Sequence, residues 1–482
     1  MQADIADNIK KKKFSTAVSA TGLTPYTGPW SKKEASHLTR RTHFGTKIND
    51  VNYLRSFGDA VSAVEALVER AKSEPLPDDP QWFTNGLSGN VLDVYDIQFR
   101  WMDQMYNNGL TERMILFWSN HFVTRLEEYY SSNHLYEYYK VIEDNSFGNF
   151  QDFVNEIGKT SAMLIFLNGF ENTAGSPNEN YARELYELFT LGVDNGYTQS
   201  DIVETSKALT GYNHRNHWTA PITYNQSTFN TSDKTIFGQT GNWGYEDVIN
   251  ILFQERAPLI AEFVCRKLYS YFISATVNED IVSDLAAIFI QDFNIANILR
   301  TLFKSEHFFD AKTTGTLIKS PYDMTMSYLK VTDFSLEEDY FEAMLWFNGV
   351  IGQDMFNPVD VAGWQGDRDW INSSTLGGRW LLTEWTVWHT WNNYNEELRT
   401  FAIESSNNSN DPFIVTKSII DRFMPLELFS IEEYQTATDV FKFNVPQNYY
   451  DDGVWNLGWE SAPYQIVLLL IHLAKIPEYQ LK

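Results

Sequence analysis

Two helical segments joined by a short turn decide how the middle of this chain folds. They read SPNENYARELYELFTLG at residues 176–192 and TQSDIVETSKALTG at residues 198–211. Each repeats apolar residues at helical spacing and ends in a glycine, Gly192 or Gly211, which readily adopts the left-handed conformation that follows a helix. The Asp-Asn-Gly sequence between them is typical of a turn. The two segments predict a helical hairpin.

The residues at the start of each segment predict where the two helices begin. In the first segment, Ser176 has the position of an N-cap, Pro177 that of the first helical residue, and Glu179 that of the acid in a capping box. In the second segment, Thr198 has the position of the N-cap and Asp201 that of the acid in a capping box. We expect both helices to begin at these caps.

The first helix carries the densest group of reactive side chains. At about 100° per residue, Asn180, Glu184 and Glu187 fall on one stripe. The carboxylates of Glu184 and Glu187 repel each other unless one is protonated or a cation lies between them, and helical proteins build metal sites from such acids with a histidine. An ion-paired surface is the alternative, because Arg183 lies four residues from both Glu179 and Glu187.

His121 is the histidine that this pattern suggests as a partner for the acids. It lies in an apolar stretch, so it is either a buried core residue or a ligand or general base whose ring Asn120 orients. With Glu184 and Glu187 it forms the candidate catalytic and metal-binding set, and a divalent cation is the candidate cofactor.

Two more histidines follow the hairpin. His214 and His217, in YNHRNHW, are three residues apart and could chelate a metal with His121 or Glu184. An exposed polar loop explains them equally well. No HExxH, Walker, GxSxG or CxxC motif is present to name a reaction.

A second concentration of polar residues is GWQGDRDWIN at residues 363–372. Trp364 and Trp370 could stack on sugar rings. The side chains that could bind hydroxyl groups beside them are Asp367, Arg368, Asp369 and Asn372. A glycine-turned loop that buries both indoles is the alternative. We expect at least one of the two indoles to border a concave pocket near the hairpin.

Composition limits the classes of partner. The chain has 482 residues, of which 43% are hydrophobic and 15% aromatic, as in a folded protein with a large core. Its formal charge of −26 repels phosphate backbones, so nucleic acid is not an expected partner. No signal peptide or apolar run of membrane-spanning length is visible, which favours a cytoplasmic location by default.

Helical periodicity dominates the organisation of the chain. The predicted helices are 32–42, 57–73, 92–107, 112–129, 150–168 with a break at Gly158, 245–253, 258–272, 279–289 and 295–304. Residues 213–243 are rich in Asn, Thr, Ser and Gly and predict a loop or small hairpin insertion. We therefore predict a mainly α protein with a flexible lead at 1–30, a large multi-helical body at 31–395 and a helical C-terminal part at 396–482.

Several blocks in this order resemble one bacterial family, the domain of unknown function 1800 family. They are ASHLTRRTHFG at 35–45, ILFWSNHF at 115–122, AMLIFLNG at 162–169, PNENYARELYELFTLG at 177–192, ALTGY at 208–212, KSP at 319–321 and NPVDVAGWQGDRDWINSSTLGGR at 357–379. The resemblance implies a mostly helical fold without an assigned reaction. By association it implies export, and work that is related to the cell surface or to polysaccharide.

The sequence departs from the pattern of that family at two places. Ser119 stands where relatives usually have a histidine, so only His121 of that pair remains. Where relatives usually have a His-Asp pair ahead of a Gly and Lys, the chain has Phe229, Asn230, Ser232 and Lys234. If the family site needs those groups, this member is inactive or altered.

Two functions stay open from the sequence. One is a metal-assisted hydrolase acting on an envelope or extracellular substrate, in which Glu184 and Glu187 hold the cation and His121 is a ligand or base. The other is a non-catalytic scaffold that binds a glycan or a protein through its aromatic loop. The acidic helix favours the first function and the missing family residues favour the second.

Overall fold

A computed structural model describes residues 22–84, 91–334 and 338–482. The described residues are 62% helical and 4% strand, which confirms the mainly α prediction. The first helices are α1 (Lys32–Thr42), α2 (Ile48–Arg55), α3 (Ala60–Ser73), α4 (Gln81–Thr84), α5 (Val91–Asn107), α6 (Leu110–Ser119), α7 (Leu126–Tyr129), α8 (Ser132–Asn145), α9 (Phe150–Ile157), α10 (Ser161–Phe166), α11 (Asn180–Glu184) and α12 (Gln199–Ala208).

The remaining α-helices form the second half of the chain. They are α13 (Tyr245–Phe272), α14 (Glu279–Phe289), α15 (Ile295–Lys304), α16 (Pro321–Thr332), α17 (Glu338–Val350), α18 (Ser373–Asn393), α19 (Asn395–Ser406), α20 (Pro412–Phe423), α21 (Ile431–Phe441), α22 (Gln447–Asp451) and α23 (Ala462–Ala474). Short 3₁₀ turns connect several of them, and a π-helix, Leu185–Thr190, continues α11.

Four short strands form two antiparallel pairs between α12 and α13. β1 (Tyr212–His214) pairs with β2 (Thr223–Tyr224), and β3 (Lys234–Ile236) pairs with β4 (Gln239–Gly241). The strands lie within the insertion predicted at 213–243 except for Tyr212, and they form two short pairs where the sequence predicted a loop or one small hairpin. Strands this short have few cross-strand contacts, and Ile236 is the residue of β3 that anchors its pair in the helical core.

Local sequence signals predicted several helices to the residue and failed at two places. The bounds of α1, α14 and α15 agree with the prediction. The predicted helix at 112–129 is instead two helices, α6 and α7, separated by an irregular segment around His121. The two helices predicted at 245–253 and 258–272 are one, because Pro258 lies inside α13 at an exposed position where water can bond the carbonyl it leaves free.

Segments near both ends of the described chain contact the central helices. Of the predicted flexible lead, residues 1–21 lie outside the described residues, while Pro25 forms an antiparallel bridge with Ser305. Near the C-terminus, Leu481 bridges to Ile318, and the side chain of Gln480 accepts a 2.9 Å hydrogen bond from Arg379. The division of the helical region at residue 395 stays a prediction.

One connected set of buried side chains runs through the described residues, from Ala35 in α1 to Tyr479 near the C-terminus. Cys265 is fully buried in α13, where burial raises the pKa of its thiol, so it packs as a small apolar residue. No described helix has the length and apolar character needed to cross a membrane.

Candidate functional site

The acidic helix begins later than its sequence predicted. Its N-terminus is Asn180, and Ser176 does not cap it, since the Ser176 backbone N–H donates to the carbonyl of Thr173 at 3.0 Å. The side chain of Asn172 accepts from the Asn178 N–H, and that of Asn178 accepts from the Asn180 N–H, each at 2.9 Å. Asparagines therefore order the entry to the helix in place of the expected capping box.

The second helix of the hairpin begins as predicted. The Thr198 hydroxyl accepts from the Asp201 N–H at 3.2 Å and the Asp201 carboxylate accepts from the Thr198 N–H at 2.9 Å, which is a complete capping box. The helix ends at Ala208, and Gly211 follows with φ +105°. The helical hairpin exists, with a π-helix in its first arm.

Glu187 is part of an ion-paired helix face, and Glu184 lies next to Arg183 on the same helix. Arg183 contacts Glu179 at 3.1 Å and Glu187 at 3.3 Å. The pKa of Glu184 is raised by partial burial and then by the neighbouring charge of Glu187. These contacts support the alternative interpretation of the helix, an ion-paired surface. Asn180 binds the side chain of Asn168 at 2.8 Å, so it too has a local partner.

His121 is buried and uses both ring nitrogens on protein groups. Nε2 lies 2.9 Å from the carbonyl oxygen of Phe189, and Nδ1 lies 3.2 Å from the ammonium nitrogen of Lys267. A carbonyl can only accept, so Nε2 carries the proton and Nδ1 accepts from Lys267. Burial and the nearby Lys267 charge hold the pKa of His121 well below its usual value. The imidazole is therefore neutral and has a fixed tautomer.

The metal-binding set that the sequence suggested has no matching geometry. Among the described residues, no group of three or more His, Cys, Asp or Glu side chains is placed to hold a metal ion. His121, Glu184 and Glu187 do not form such a group. His214 is exposed, and His217 contacts the hydroxyl of Thr219 at 3.0 Å, as expected of a polar loop.

The space near His121 is a cavity of about 540 Å³. Its walls come from the end of α6, the second half of α13, residues 317–323, residues 362–370 and Lys482. These segments are far apart in sequence. Glu184 and Glu187 are not on the wall. The hairpin contacts two residues of the wall through the carbonyl groups of Leu188 and Phe189, which bind Lys267 and His121.

Both indoles of the 363–372 loop border this cavity, as predicted. Trp364 is 7% exposed and Trp370 is 8% exposed, so each ring is mostly packed in the core. The loop is held by Asn120, whose side chain accepts from the Trp364 N–H at 2.7 Å and donates to the Trp364 carbonyl at 2.9 Å. Asn120 therefore positions the loop, whereas the sequence had suggested that it orients His121.

The polar residues of the loop have different surroundings. Asp367 is on the cavity wall and has φ +47°, a left-handed conformation that is uncommon outside glycine. Arg368 and Asp369 are exposed. Asn372 caps α18 by accepting from the backbone N–H groups of Ser374 and Thr375. Of the four, only Asp367 lies on the cavity wall.

Lys267 is the residue of the site that the sequence reasoning missed. It lies in α13 between buried residues, Val264 and Cys265 before it and Leu268 and Tyr269 after it. A lysine inside such an apolar run is the signal that could have found it, because lysine is rarely buried without a reason. Burial lowers the pKa of its ammonium group to about 8.

A buried ionic cluster closes one side of the cavity and was also missed. Asp323 accepts from Arg113 at 2.6 Å and from the ammonium group of Lys482. These two cations hold the pKa of Asp323 below its usual range despite burial. Residues 113, 323 and 482 are too far apart in sequence for any local pattern to pair them.

Comparisons with known proteins agree with the resemblance and add no activity. Neither the curated proteins nor the solved structures include a significant match to the chain. A family model matches residues 37–481, a range that contains every residue of the cavity wall except Lys482. The chain belongs to the family described as Protein of unknown function (DUF1800).

Proposed function

We propose that the protein binds a small saccharide in the cavity between α6, α13 and the 363–372 loop. The main observation behind this proposal is a cavity of about 540 Å³, formed by segments that are distant in sequence and bordered by both loop indoles and by polar side chains. Cavities of roughly 300–1,000 Å³ take small organic ligands. The glycan-binding function is thereby preferred to the hydrolase.

The chemistry of the wall supports a polyhydroxylated ligand. Ser270, Gln365 and Asp367 supply a hydroxyl, an amide and a carboxylate that can bond sugar hydroxyl groups. Trp364 and Trp370 supply an apolar border. Because little of either ring is exposed, the site suits a short saccharide enclosed on several sides better than a polymer lying on an open aromatic platform.

The contacts of the acidic helix favour this function over a metal-assisted hydrolase. Glu184 and Glu187 are off the cavity wall, and Arg183 already pairs with Glu187. Both nitrogens of His121 are engaged, so a ligand or base role would require breaking an existing contact. An envelope or extracellular location is consistent with a saccharide ligand and stays a prediction.

Isothermal titration calorimetry with a panel of neutral and acidic mono- and disaccharides tests the proposal. Ser270→Leu adds volume to the cavity wall and should weaken binding at least about tenfold, since a well-packed site has no room for extra atoms. Ser200→Leu, at an exposed position of α12, is the matched control and should bind as the wild type does. Absence of binding by the wild type, or unchanged binding by Ser270→Leu, would contradict the proposal.

A further inference from the structure

Lys267 is a cation on the cavity wall without an acidic partner. Within the described chain its ammonium nitrogen contacts the His121 ring at 3.2 Å and the Leu188 carbonyl at 3.3 Å, and it forms no ion pair. Burial alone lowers the pKa of its ammonium group, with no compensating carboxylate nearby. Lys267 is half-buried, and this ammonium group has no counterion among the described residues.

The contacts of Lys267 leave one N–H free. An ammonium group has three donors. One is used on Nδ1 of His121, which must accept because Nε2 donates to Phe189, and one is used on the carbonyl of Leu188. Both acceptors are neutral groups. The ammonium nitrogen also lies 4.9 Å from the centre of the Phe263 ring. An aromatic ring does not neutralise the charge, so the third donor and the net charge are available to a molecule in the cavity.

The other cations on the wall, Arg266 and Lys482, already contact a carboxylate. Arg266 pairs with Glu262 at 2.9 Å and also with Glu279. Lys482 pairs with Asp323. The remaining titratable groups on the wall are His121, Tyr271 and Asp367. Lys267 is therefore a cation without a carboxylate partner in a chain whose formal charge is −26.

We propose that the ammonium group of Lys267 binds a carboxylate of the ligand, so the saccharide is a uronic acid or another carboxylate-bearing sugar. This inference rests on the proposed function. A single free ammonium donor can bind one carboxylate oxygen. A phosphate group is usually bound by an arginine side chain through two hydrogen bonds or by several backbone N–H groups. His121 is a positioning residue, because one ring nitrogen holds the lysine and the other binds the Phe189 carbonyl, which leaves no ring nitrogen for the ligand.

Calorimetry with uronic acid disaccharides and their methyl esters tests this assignment. The esters keep every hydroxyl group and lose only the charge. A charge-assisted hydrogen bond in a shielded site predicts that wild-type protein binds the acids about tenfold to a hundredfold more tightly than the esters. Lys267→Met should bind both forms equally, and Lys207→Met, which alters a surface lysine paired with Glu204, should keep the preference.

A second measurement avoids the risk that Lys267→Met folds poorly after losing its contact to Leu188. In wild-type protein, the ¹⁵N resonance of His121 Nδ1, assigned through the His121→Gln variant, should shift on addition of the acid and not of the ester. This is because the bound carboxylate alters the ammonium group that donates to Nδ1. Equal affinity for acids and esters in wild-type protein would overturn the inference and leave the proposed function intact. Failure of both forms to bind would overturn the inference, and failure of the neutral saccharides as well would overturn the proposed function.

Discussion

Replacing Gly363 by alanine should detach the 363–372 loop from the wall of the cavity. Gly363 has φ +80°, and a Cβ atom there would lie 2.3 Å from Oδ1 of Asn120 and 3.0 Å from its backbone carbonyl oxygen. Oδ1 is the atom that accepts from the Trp364 N–H. The alanine methyl group would therefore clash with the side chain of Asn120, which holds the loop.

The magnitude follows from two contributions. A left-handed alanine costs about 1–2 kcal/mol relative to glycine. Loss of the two hydrogen bonds between Asn120 and the Trp364 backbone costs about 0.5–1.5 kcal/mol each. Gly363→Ala should therefore destabilise the docked loop by about 2–5 kcal/mol. The opening is local, so the global unfolding transition should change less than the loop does.

Gly366→Ala is the matched control. Gly366 has φ +79°, so the backbone cost is the same, but its Cβ would meet only Nε1 of Trp370 at 3.8 Å. Hydrogen–deuterium exchange of the Trp364 amide should be faster in Gly363→Ala than in Gly366→Ala by about fivefold to a hundredfold, which corresponds to the difference of about 1–3 kcal/mol between the two variants. Equal exchange in the two variants would refute the role assigned to Asn120.

Three further predictions concern charged groups. Burial and a neighbouring glutamate raise the pKa of Glu112 to about 8, so the wild-type protein loses stability as pH rises from about 4.5 to 8. The Glu112→Gln variant should lose less stability over this range and should be about 1–3 kcal/mol more stable than the wild type at pH 8, as measured by urea unfolding. Parallel pH profiles of stability for the two proteins would contradict this prediction. The pKa of Lys267 is about 8, so affinity for acidic saccharides should be full below that pH and fall above it, while affinity for the esters stays constant in calorimetry. Arg183 pairs with Glu179 and Glu187 at the surface, so Arg183→Ala should change the free energy of unfolding by less than about 1 kcal/mol, and a larger loss would show that this face is more than a solvated ion-pair network.

Local sequence signals predicted much of the fold because capping and periodicity act over a few residues. The Thr198 and Asp201 box and the bounds of α1, α14 and α15 were predicted in this way. The same reasoning failed for Ser176, where Asn172 reaches in from an earlier turn and orders the chain instead. A cap predicted from adjacent residues fails when a residue outside the window supplies a better hydrogen bond.

The acidic helix shows the limit of projecting a regular helix from sequence. The projection assumes α-helical spacing, but residues 185–190 form a π-helix whose i to i+5 hydrogen bonds include Leu191 N–H to the Tyr186 carbonyl at 2.8 Å. At the C-terminal end of that segment, the carbonyls of Leu188 and Phe189 face Lys267 and His121. The helix thus contacts Lys267 and His121 through its backbone, which no side-chain pattern reveals.

The sequence by itself determined the helical class, many helix positions up to residue 304, the family and the indole-bearing loop, since these depend on local propensity and recognisable blocks. Only the tertiary structure decided which polar groups meet, because Asn120 with Trp364, Lys267 with His121, and Asp323 with Lys482 are each separated by more than a hundred residues. Contacts at that separation are set by how helices pack around a shared core. The physical reason is that packing in the core brings the two residues of each pair into contact, and the residues around either one in sequence do not specify its distant partner.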